Sequence, residues 1–368
     1  MTRHHTDRGM KVLTVNAGSS SLKLRVLDPD DQVLGSRDAD TDGDVAAQVA
    51  QLLDETGPVD ASGHRVVHGG AQHVDPERVT DALLDDLRAL VPLAPLHQPA
   101  ALDGIAVVQA ALPRVPAVAC FDTAFPAHLP PPAAAYAVPR QWRDRFGLRR
   151  YGAHGLSHAY ASRRAAEMTN GRAPRVVVAH LGSGASLCAV HGGRSVDTTM
   201  GFTPMEGLVM ATRSGSVDPG LLLWLITDAG LSPEQVQDGI DRQGGLLGLT
   251  GSQDMQEVLA RAHDDDDAQL AVGVYVHRLA AGIAAMTASL RGLDVLVFTG
   301  GVGERASVIR AAAGDRLTHL GVDVDPARNE TAQPDCDVSA DRAAVRTLMV
   351  AAREDIEIAA STRVALGG

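Results

Sequence analysis

Apolar and polar residues alternate in three short runs near the start of the chain, at 11–16, 21–27 and 32–37. A repeat of two residues predicts β-strands that each bury one face. The turn NAGSS at 16–20 separates the first two runs, and DPDD at 28–31 separates the second from the third. Both turns contain residues that favour tight reversals of the backbone. The pattern therefore predicts a three-stranded meander.

After the meander, helical and extended patterns alternate along the chain. A helix is predicted at about 44–54, a short strand at 63–70 and helices at about 80–90 and 99–112. The run VPAVACFDTAF at 115–125 has the continuous apolar character of a buried strand and includes an acidic residue near its end. Such alternation predicts an α/β sheet covered by helices.

The second half of the chain begins with the same order of patterns. VVVAHLGSGASLCAVHGGRSVDTTM at 176–200 has a strand, a Gly-Ser turn, a strand, a Gly-Gly turn and a strand. We interpret this repeat as an internal duplication. It predicts a first domain at 10–150 and a second at 151–352. The last helix, at about 353–368, can pack back on the first domain.

Three glycine-rich turns are candidates for binding phosphate. In the first two, at 18–19 and 182–183, small residues allow successive backbone N–H groups to converge on an anion. The third, Gly300-Gly301-Val302-Gly303-Glu304, connects an apolar strand to a helix, as nucleotide-binding turns do. It is not a Walker A loop. For either of the first two turns taken alone, an ordinary tight hairpin is the better interpretation; for the third, a tight strand-to-helix turn is an equally good one.

Composition narrows the possible functions. The 368 residues, 45% of them hydrophobic, suffice for two domains with separate cores. The net charge of -12 leaves no basic surface for nucleic acid. The start of the chain has no apolar signal core, the three cysteines are far apart, and 268–290 has the spacing of a buried helix. We therefore expect a cytoplasmic protein with no membrane partner, no disulfide and a polar tail at residues 1–9.

Eight segments resemble the motifs of the acetate kinases, in the same order and over almost the whole chain. They are NAGSSSLK at 16–23, GHRVVHGG at 63–70, APLHQPA at 94–100, FDTAF at 121–125, RRYGAHGLSH at 149–158, AHLGSGAS at 179–186, TPMEGLVMATRSG at 203–215 and FTGGVGE at 298–304. The resemblance implies a duplicated two-domain, actin-like ATPase (ribonuclease H-like) fold, with mixed sheets flanked by helices and a central nucleotide cleft.

The same resemblance implies an activity and its cofactors. Acetate kinases convert acetate and ATP reversibly to acetyl phosphate and ADP by direct in-line attack of the carboxylate. The family resemblance also implies Mg²⁺, with Mn²⁺ possible, and a homodimer in which the second domain carries the nucleotide site and the dimer contact. Acetate and ATP are then the expected small-molecule partners.

The chemistry of this reaction identifies two arginines. Acetate is ionised at neutral pH, so its attack on phosphorus needs no general base but does need control of charge. A guanidinium matches a carboxylate or phosphoryl group with two parallel hydrogen bonds. By the resemblance, Arg65 binds the acetate carboxylate and Arg213 stabilises the transition state; a surface salt bridge is the alternative for either arginine taken alone.

Further site residues follow from the resemblance alone. His154 and Asp122 join Arg213 as catalytic residues, His154 by contacting the transferring phosphoryl group. For Asp122 we prefer a positioning role, in which it orients Arg65 or a metal-bound water, over proton donation. His97 lines the acetate site, and the acyl pocket contains Val67, Leu96, Ala153 and Pro204.

Magnesium and nucleotide are assigned in the same way. The metal ligands are Asn16 and Glu354. The nucleotide residues are Ser19, Ser21, Lys23, His180, Leu181, Gly182, Ser183, Gly184, Asp254, Met255, Gln256, Gly301, Val302, Gly303, Glu304 and Arg305.

The chain departs from the family pattern at several of these positions. Ser183 and Arg305 each replace an asparagine, Gln256 replaces an arginine, and Ala352-Arg353-Glu354-Asp355 replaces Thr-Asn-Glu-Glu. The departures at Ser183, Gln256 and Arg305 leave pyrophosphate open as an alternative to ATP, and the departure at 352–355 bears on the metal ligands. Propionate or butyrate kinase activity is a second alternative, because one methylene changes binding by only about 1–3 kcal/mol. A non-catalytic, actin-like nucleotide switch is the third, although such a switch does not need Arg65, Asp122 and Arg213.

Overall fold

The computed structural model describes residues 9–18, 21–40 and 44–367 and divides the chain into two compact units. Unit 1 comprises Met1–Ala127, Ala153–Tyr160 and Arg353–Gly368, and unit 2 comprises His128–Gly152 and Ala161–Ala352. The predicted boundary at 150 grouped 128–150 with the first domain, whereas the structure places these residues in unit 2. It also returns the chain to unit 1 at 153–160.

Unit 1 contains a six-stranded mixed sheet in the order β3-β2-β1-β4-β6-β5. Its strands are β1 Val12–Ala17, β2 Ser21–Leu27, β3 Val33–Asp40, β4 Ala61–Val66, β5 Glu77–Arg78 and β6 Ala117–Phe121, and its first helices are α1 Val45–Thr56, α2 Asp81–Ala89 and α3 Gln98–Ala111. β1, β2 and β3 form the predicted antiparallel meander, while β4 and β6 run parallel to β1. The strand and helix predictions for this region are confirmed.

Unit 2 repeats this topology. Its strands are β7 Arg175–Leu181, β8 Ala185–His191, β9 Arg194–Thr198, β10 Val295–Thr299, β11 Cys336–Asp337 and β12 Arg346–Met349, in the order β9-β8-β7-β10-β12-β11. Again the first three strands are antiparallel, the next two long strands run parallel to the first, and a two-residue antiparallel strand forms the edge. The predicted duplication and fold class are confirmed by this match.

The remaining helices are α4 Pro131–Ala134, α5 Arg140–Phe146, α6 Gly155–Met168, α7 Pro219–Thr227, α8 Pro233–Asp241, α9 Gly245–Thr250, α10 Met255–Arg261, α11 Asp266–Leu290, α12 Gly300–Arg305, α13 Ser307–Arg316, α14 Pro326–Glu330 and α15 Glu354–Leu366. Among the described residues, α11 is the longest of these helices. α11 packs on β7 and β8 and buries ten residues, as predicted. Among the described residues, only α11 has the length and composition of a membrane span, and 44% of that window is buried.

Both faces of the unit 1 sheet are covered, because alternate residues of its strands meet different helices. Leu13 and Leu24 pack with Leu52 of α1 on one face. Val118 and Cys120 pack with Ile358 of α15 on the other. The approach of α15 requires Gly63, since a Cβ there would lie 2.1 Å from Thr362 Oγ1. The last helix of the chain thus completes the core of unit 1.

His64 lies inside this core on β4, with only 1% of its surface exposed. Its Nε2 is 3.0 Å from Ser62 Oγ, and its Nδ1 has no hydrogen-bond partner among the described residues. Burial lowers the pKa of His64 from 6.5 to about 3, because the imidazolium would lose its hydration. The native protein therefore holds this imidazole neutral at every pH near neutrality.

We predict that His64 makes the native state sensitive to acid. Between pH 6.5 and 3 the unfolded chain binds a proton at this residue that the folded chain does not, so the stabilisation is complete above pH 6.5 and is lost as the pH falls. Lowering the pH from 6.5 to 5 should cost up to about 2 kcal/mol through this group. Urea unfolding of H64Q across this range should show a shallower pH dependence.

His263, whose side chain is 89% exposed, provides the control. H263Q should unfold with the pH dependence of the wild-type chain. An equal pH slope in H64Q and wild type would contradict the role assigned to the buried imidazole.

Candidate active site

Arg65 and Asp122 form a buried ion pair at the C-terminal ends of two neighbouring strands of the unit 1 sheet. β4 and β6 are parallel neighbours, with Arg65 opposite Cys120 and Val66 opposite Phe121, so both side chains emerge where these strands end. Arg65 Nε and Nη2 donate to Asp122 Oδ2 at 2.9 and 2.6 Å. The side chain of Arg65 is 12% exposed and that of Asp122 is fully buried. The sequence predicted both residues, and the structure brings them into direct contact.

Asn16 and Glu354 extend this pair into a network. Arg65 Nη1 donates to Asn16 Oδ1 at 3.1 Å, and Asn16 Nδ2 donates to Glu354 Oε2 at 2.6 Å. Asn16 is near the end of β1, beside β4, and Glu354 is the first residue of α15. Residues from four distant parts of the chain thus meet at one sheet edge.

The electrostatics of the network favour a charged arginine. Burial alone would lower the pKa of Arg65, but the charges of Asp122 and Glu354 raise it above its ordinary value. Burial raises the pKa of Asp122, as does Glu354, and these effects outweigh the lowering effects of Arg65 and of a hydrogen bond from the Leu156 backbone N–H. Asp122 Oδ1 has no hydrogen-bond partner among the described residues. The network thus contains one guanidinium and two carboxyl groups.

These residues fit a magnesium ion of the kind that keeps most of its water. Mg²⁺ takes oxygen ligands and usually only one or two carboxylates from the protein. Glu354, the unpartnered Asp122 Oδ1 and the second lone pair of Asn16 Oδ1 supply suitable oxygens. Within the described ranges, no group of three or more His, Cys, Asp or Glu side chains is arranged so that it could hold a metal ion.

The predicted acetate-site residues of unit 1 lie around the ends of β4 and β6. Val67 and Ala153 are buried, while Leu96 and His97 are half-buried just before α3. The buried side chain of Gln98 joins these segments: its Oε1 accepts from His68 N at 3.1 Å and its Nε2 donates to His68 O at 2.9 Å. Gln98 is a residue that sequence reasoning missed, although the APLHQPA motif contains it.

His154 precedes α6 in an unusual backbone conformation. Its φ of 55° lies in the left-handed region, which is uncommon for a residue with a side chain and often marks a functional site. The next residue, Gly155, donates its N–H to Asp122 O at 2.8 Å. A Cβ at Gly155 would lie 2.2 Å from that oxygen, so glycine permits the contact. The start of α6 is therefore fixed directly against the residue that holds Arg65.

Lys23, Ser19 and Ser21 complete the predicted phosphate side of unit 1. Lys23 is exposed on β2, opposite Asn16. Ser19 lies outside the described residues, as does the side chain of Ser21.

In unit 2, two glycine turns meet at the edge where β7 and β10 end. These strands are parallel neighbours, with His180 opposite Thr299. Gly300 has a φ of 79°, and a Cβ there would lie 2.8 Å from Leu181 O. Glycine is therefore required for the close approach of the two turns.

A cavity of about 370 Å³ lies beside these turns. Its walls include eight of the predicted nucleotide residues, namely Gly182, Ser183, Asp254, Met255, Gln256, Gly301, Val302 and Arg305. The other lining residues were not predicted and are mostly apolar: Ala211, Leu246, Gln253, Leu259, Tyr275 and Ala306. The helical spacing of 268–290 indicated a core position for Tyr275, and the other five residues were not singled out in the sequence.

The five other predicted nucleotide residues of unit 2 do not line this cavity but lie within two positions in the sequence of residues that do. They are His180, Leu181, Gly184, Gly303 and Glu304. Glu304 Oε1 accepts from Ala352 N at 3.0 Å. Arg310, which the sequence did not indicate, is 2% exposed and donates from Nη1 to Gly303 O and Glu304 O at 2.9 and 2.8 Å. These bonds fix the C-terminal end of α12.

Arg213 lies in a buried turn of unit 2, with 7% of its surface exposed. Its Nη1 donates to Pro204 O at 2.7 Å, and its backbone carbonyl accepts from Met210 N at 3.0 Å. Pro204 itself is half-buried. The two residues that the sequence assigned to transition-state stabilisation and to the acyl pocket are therefore in direct contact.

Comparison with known proteins agrees with this arrangement. The model of the acetokinase family matches residues 41–360. The acetate kinase of Microcystis aeruginosa is 44% identical over 315 residues, which are 84% of this chain and 77% of the relative. A propionate kinase from Francisella tularensis subsp. tularensis SCHU S4 superposes with a TM-score of 0.89 at 34% identity, covering 96% of this chain and 99% of that one.

A second solved structure gives the same result. The acetate kinase of Porphyromonas gingivalis superposes with a TM-score of 0.87 at 33% identity, covering 97% of this chain and 100% of the other. The family match, the relatives and the sheet-edge network agree: this chain belongs to the acetokinase family.

Proposed function

We propose that this protein is an acetate kinase, which transfers the terminal phosphoryl group of ATP to acetate and catalyses the reverse reaction. The network of Arg65, Asp122, Asn16 and Glu354 is the observation that carries the proposal. It holds a charged guanidinium at a sheet edge beside oxygens suited to magnesium. Membership of the acetokinase family supports the same reaction.

Arg65 is suited to bind the carboxylate of the acid. Three of its N–H groups donate to Asp122 and Asn16. Among the described residues, this leaves one N–H on each of Nη1 and Nη2 for an incoming carboxylate. Because acetate is already an anion, Arg65 can orient it without removing a proton.

Asp122 then acts by positioning rather than as a base. Its Oδ2 accepts two N–H groups of Arg65, which fixes the plane of the guanidinium. Its unpartnered Oδ1 can accept a hydrogen bond from a metal-bound water. In neither role does Asp122 have to accept or donate a proton.

For the metal, we propose that Glu354 is the principal protein ligand, with Asn16 holding Glu354 and Arg65 in place. Bound Mg²⁺ neutralises charge on the phosphates of the nucleotide, and Mn²⁺ has the same oxygen-ligand chemistry. Arg213 provides a second positive group, buried in unit 2, for the charge that develops on the transferring phosphoryl group.

The unit 2 cavity supports a nucleotide as the phosphoryl donor. Its 370 Å³ lies within the range of small-molecule sites, and Met255, Leu259 and Tyr275 offer apolar surface to a base. Ser183, Gln256 and Arg305, where the chain departs from the family pattern, all line this cavity. We propose that they adjust base recognition while ATP remains the donor.

The acid is proposed to be acetate, with propionate as a weaker substrate. Val67 and Ala153, which the resemblance assigns to the acyl pocket, are both buried, as the walls of a small apolar pocket would be. The similarity to a propionate kinase supports propionate as the weaker substrate, since one methylene changes binding by only about 1–3 kcal/mol.

A cytoplasmic homodimer is the proposed state of the protein. The free thiols of Cys120, Cys188 and Cys336 suit a reducing compartment. On α7, Leu221, Leu223 and Trp224 are 45, 64 and 54% exposed. Such an apolar helix face marks a contact with another protein, and a second copy of this chain is the partner that the family resemblance implies.

The first prediction concerns the reaction. Acyl phosphate, trapped as its hydroxamate, should form most rapidly with acetate, ATP and Mg²⁺, more slowly with propionate and least with butyrate. Arg65→Lys and Arg213→Lys should each lower the rate on the order of 100-fold or more, because an ammonium cannot make the paired hydrogen bonds. Arg140→Lys, at a side chain that is 85% exposed, should leave the rate unchanged.

The same assay tests the alternatives. Activity with pyrophosphate but not ATP would contradict the nucleotide donor, and preference for butyrate would contradict the small acyl pocket. No acyl phosphate with any acid and donor would favour a non-catalytic switch.

The second prediction concerns the metal. Glu354→Gln preserves an oxygen that can accept from Asn16 Nδ2 but removes the charge that attracts Mg²⁺. The Mg²⁺ concentration for half-maximal rate should rise roughly tenfold or more. Glu357→Gln, in the same first turn of α15, serves as the control. An unchanged Mg²⁺ requirement in Glu354→Gln would show that this carboxylate is not a ligand.

The third prediction concerns assembly. Light scattering should give the mass of a dimer for the wild-type chain and of a monomer for Leu223→Glu, because a charge would be buried in the α7 contact. Trp142→Ser, at a residue 56% exposed on α5, should remain dimeric. A dimer in Leu223→Glu would place the contact elsewhere.

A further inference from the structure

Three side chains of unit 2 that have no assigned role form one polar cluster. Tyr136 Oη donates to Glu206 Oε2 and Arg150 Nη2 donates to Glu206 Oε1, both at 2.7 Å. The Arg150 guanidinium also lies 5.5 Å from the centre of the Tyr136 ring. Both carboxylate oxygens of Glu206 are therefore engaged, and we call Tyr136, Arg150 and Glu206 the Glu206 cluster.

The cluster holds the backbone of the loop at 199–206. Arg150 Nη1 donates to Thr199 O and Met200 O at 3.1 and 2.9 Å. Tyr136 Oη accepts from Phe202 N at 2.9 Å. These bonds fix the loop on the N-terminal side of Pro204. Glu206, which is two residues after Pro204, fixes the loop on the C-terminal side.

Gly201 shows how closely the loop packs on the cluster. A Cβ at this position would lie 1.8 Å from Glu206 Oε2 and 2.2 Å from Tyr136 Oη. The Gly201 carbonyl also accepts from the backbone N–H groups of Tyr151 and Gly152 at 3.0 and 3.2 Å. No side chain would fit at Gly201, so the cluster determines the path of the loop.

The loop in turn contacts Arg213. Its Pro204 carbonyl, held between Phe202 and Glu206, accepts from Arg213 Nη1 at 2.7 Å. The Arg213 side chain is almost fully buried, so a displaced carbonyl would change the direction in which its guanidinium points. A chain of contacts therefore leads from Glu206 through the loop to a residue proposed to act on the phosphoryl group.

The cluster itself adds no net charge to the site. Arg150 and Glu206 neutralise each other, and burial together with the hydrogen bond to Glu206 raises the pKa of Tyr136, so its hydroxyl stays protonated. Any effect of the cluster on the reaction must then come from geometry.

We propose that Tyr136, Arg150 and Glu206 are positioning residues for phosphoryl transfer, which hold the 199–206 loop so that the Pro204 carbonyl orients Arg213. This inference rests on the proposed function, because it assumes that Arg213 contacts the transferring group. It assigns a role to two residues of the RRYGAHGLSH and TPMEGLVMATRSG motifs and to Tyr136, which lies outside all the motifs.

Glu206→Gln and Tyr136→Phe test the proposal with little change of shape. Each should lower kcat about tenfold, because a misdirected guanidinium loses transition-state contacts, while the KM for ATP changes less than twofold. Glu206→Asp, which retains the charge on a shorter side chain, should fall between wild type and Glu206→Gln. A wholly structural role would not separate kcat from the KM for ATP in this way.

A double-mutant cycle with Arg213→Lys identifies the route of the effect. If Glu206 acts through Arg213, Glu206→Gln should cost less than twofold when Arg213→Lys is already present. Acyl hydroxamate accumulates over hours, so slow variants can be compared. Asp294→Asn is the matched control: it weakens a comparable pair with Arg175 at the opposite end of β7 and should leave kcat unchanged.

The outcomes are distinct. A tenfold loss in both backgrounds, or a parallel rise in the KM for ATP, would overturn the positioning role while leaving the proposed function intact. A wild-type chain that forms no acyl phosphate would overturn the proposed function and this inference with it. The proposal is supported if Glu206→Gln lowers kcat about tenfold in the wild-type chain but less than twofold when Arg213→Lys is already present.

Discussion

The candidate active site of unit 1 depends on the ion pair between Arg65 and Asp122. Burying two charges is costly unless they satisfy each other, and removing one partner from such a pair typically costs about 3–5 kcal/mol. Here Asp122 is fully buried and accepts two N–H groups from one guanidinium. The pair therefore constrains the ends of β4 and β6, and it links the chemistry of the site to the stability of the sheet that carries it.

Around this pair, the fold brings groups together through topology. In both units, parallel strands end at one edge of a sheet, and this edge carries the residues suited to ligands. In unit 1 these residues are mostly charged side chains that are joined by hydrogen bonds and an ion pair. In unit 2 they are glycine turns beside a cavity with mostly apolar walls. The duplicated sheet thus provides two different chemical environments from one architecture, as a reaction between a small acid and a nucleotide requires.

Residues that do not contact a ligand have a large part in this geometry. Gln98 joins the segment after β4 to the start of α3, Arg310 fixes the end of α12, and the Glu206 cluster fixes the loop that contacts Arg213. Each does so by binding backbone groups, which would otherwise need other hydrogen-bond partners. Such residues extend the site beyond the side chains that an active-site motif usually identifies.

The sequence by itself determined the strands and helices of unit 1, the duplication, the glycine turns and the family, because hydrophobic periodicity and short motifs are local properties. It also identified Arg65, Asp122, Asn16 and Glu354. The tertiary structure decided how these residues contact one another: Asn16 accepts a hydrogen bond from Arg65 and donates one to Glu354. It also decided the unit boundaries and the contacts of Gln98 and Glu206, since these join segments that are distant in the sequence.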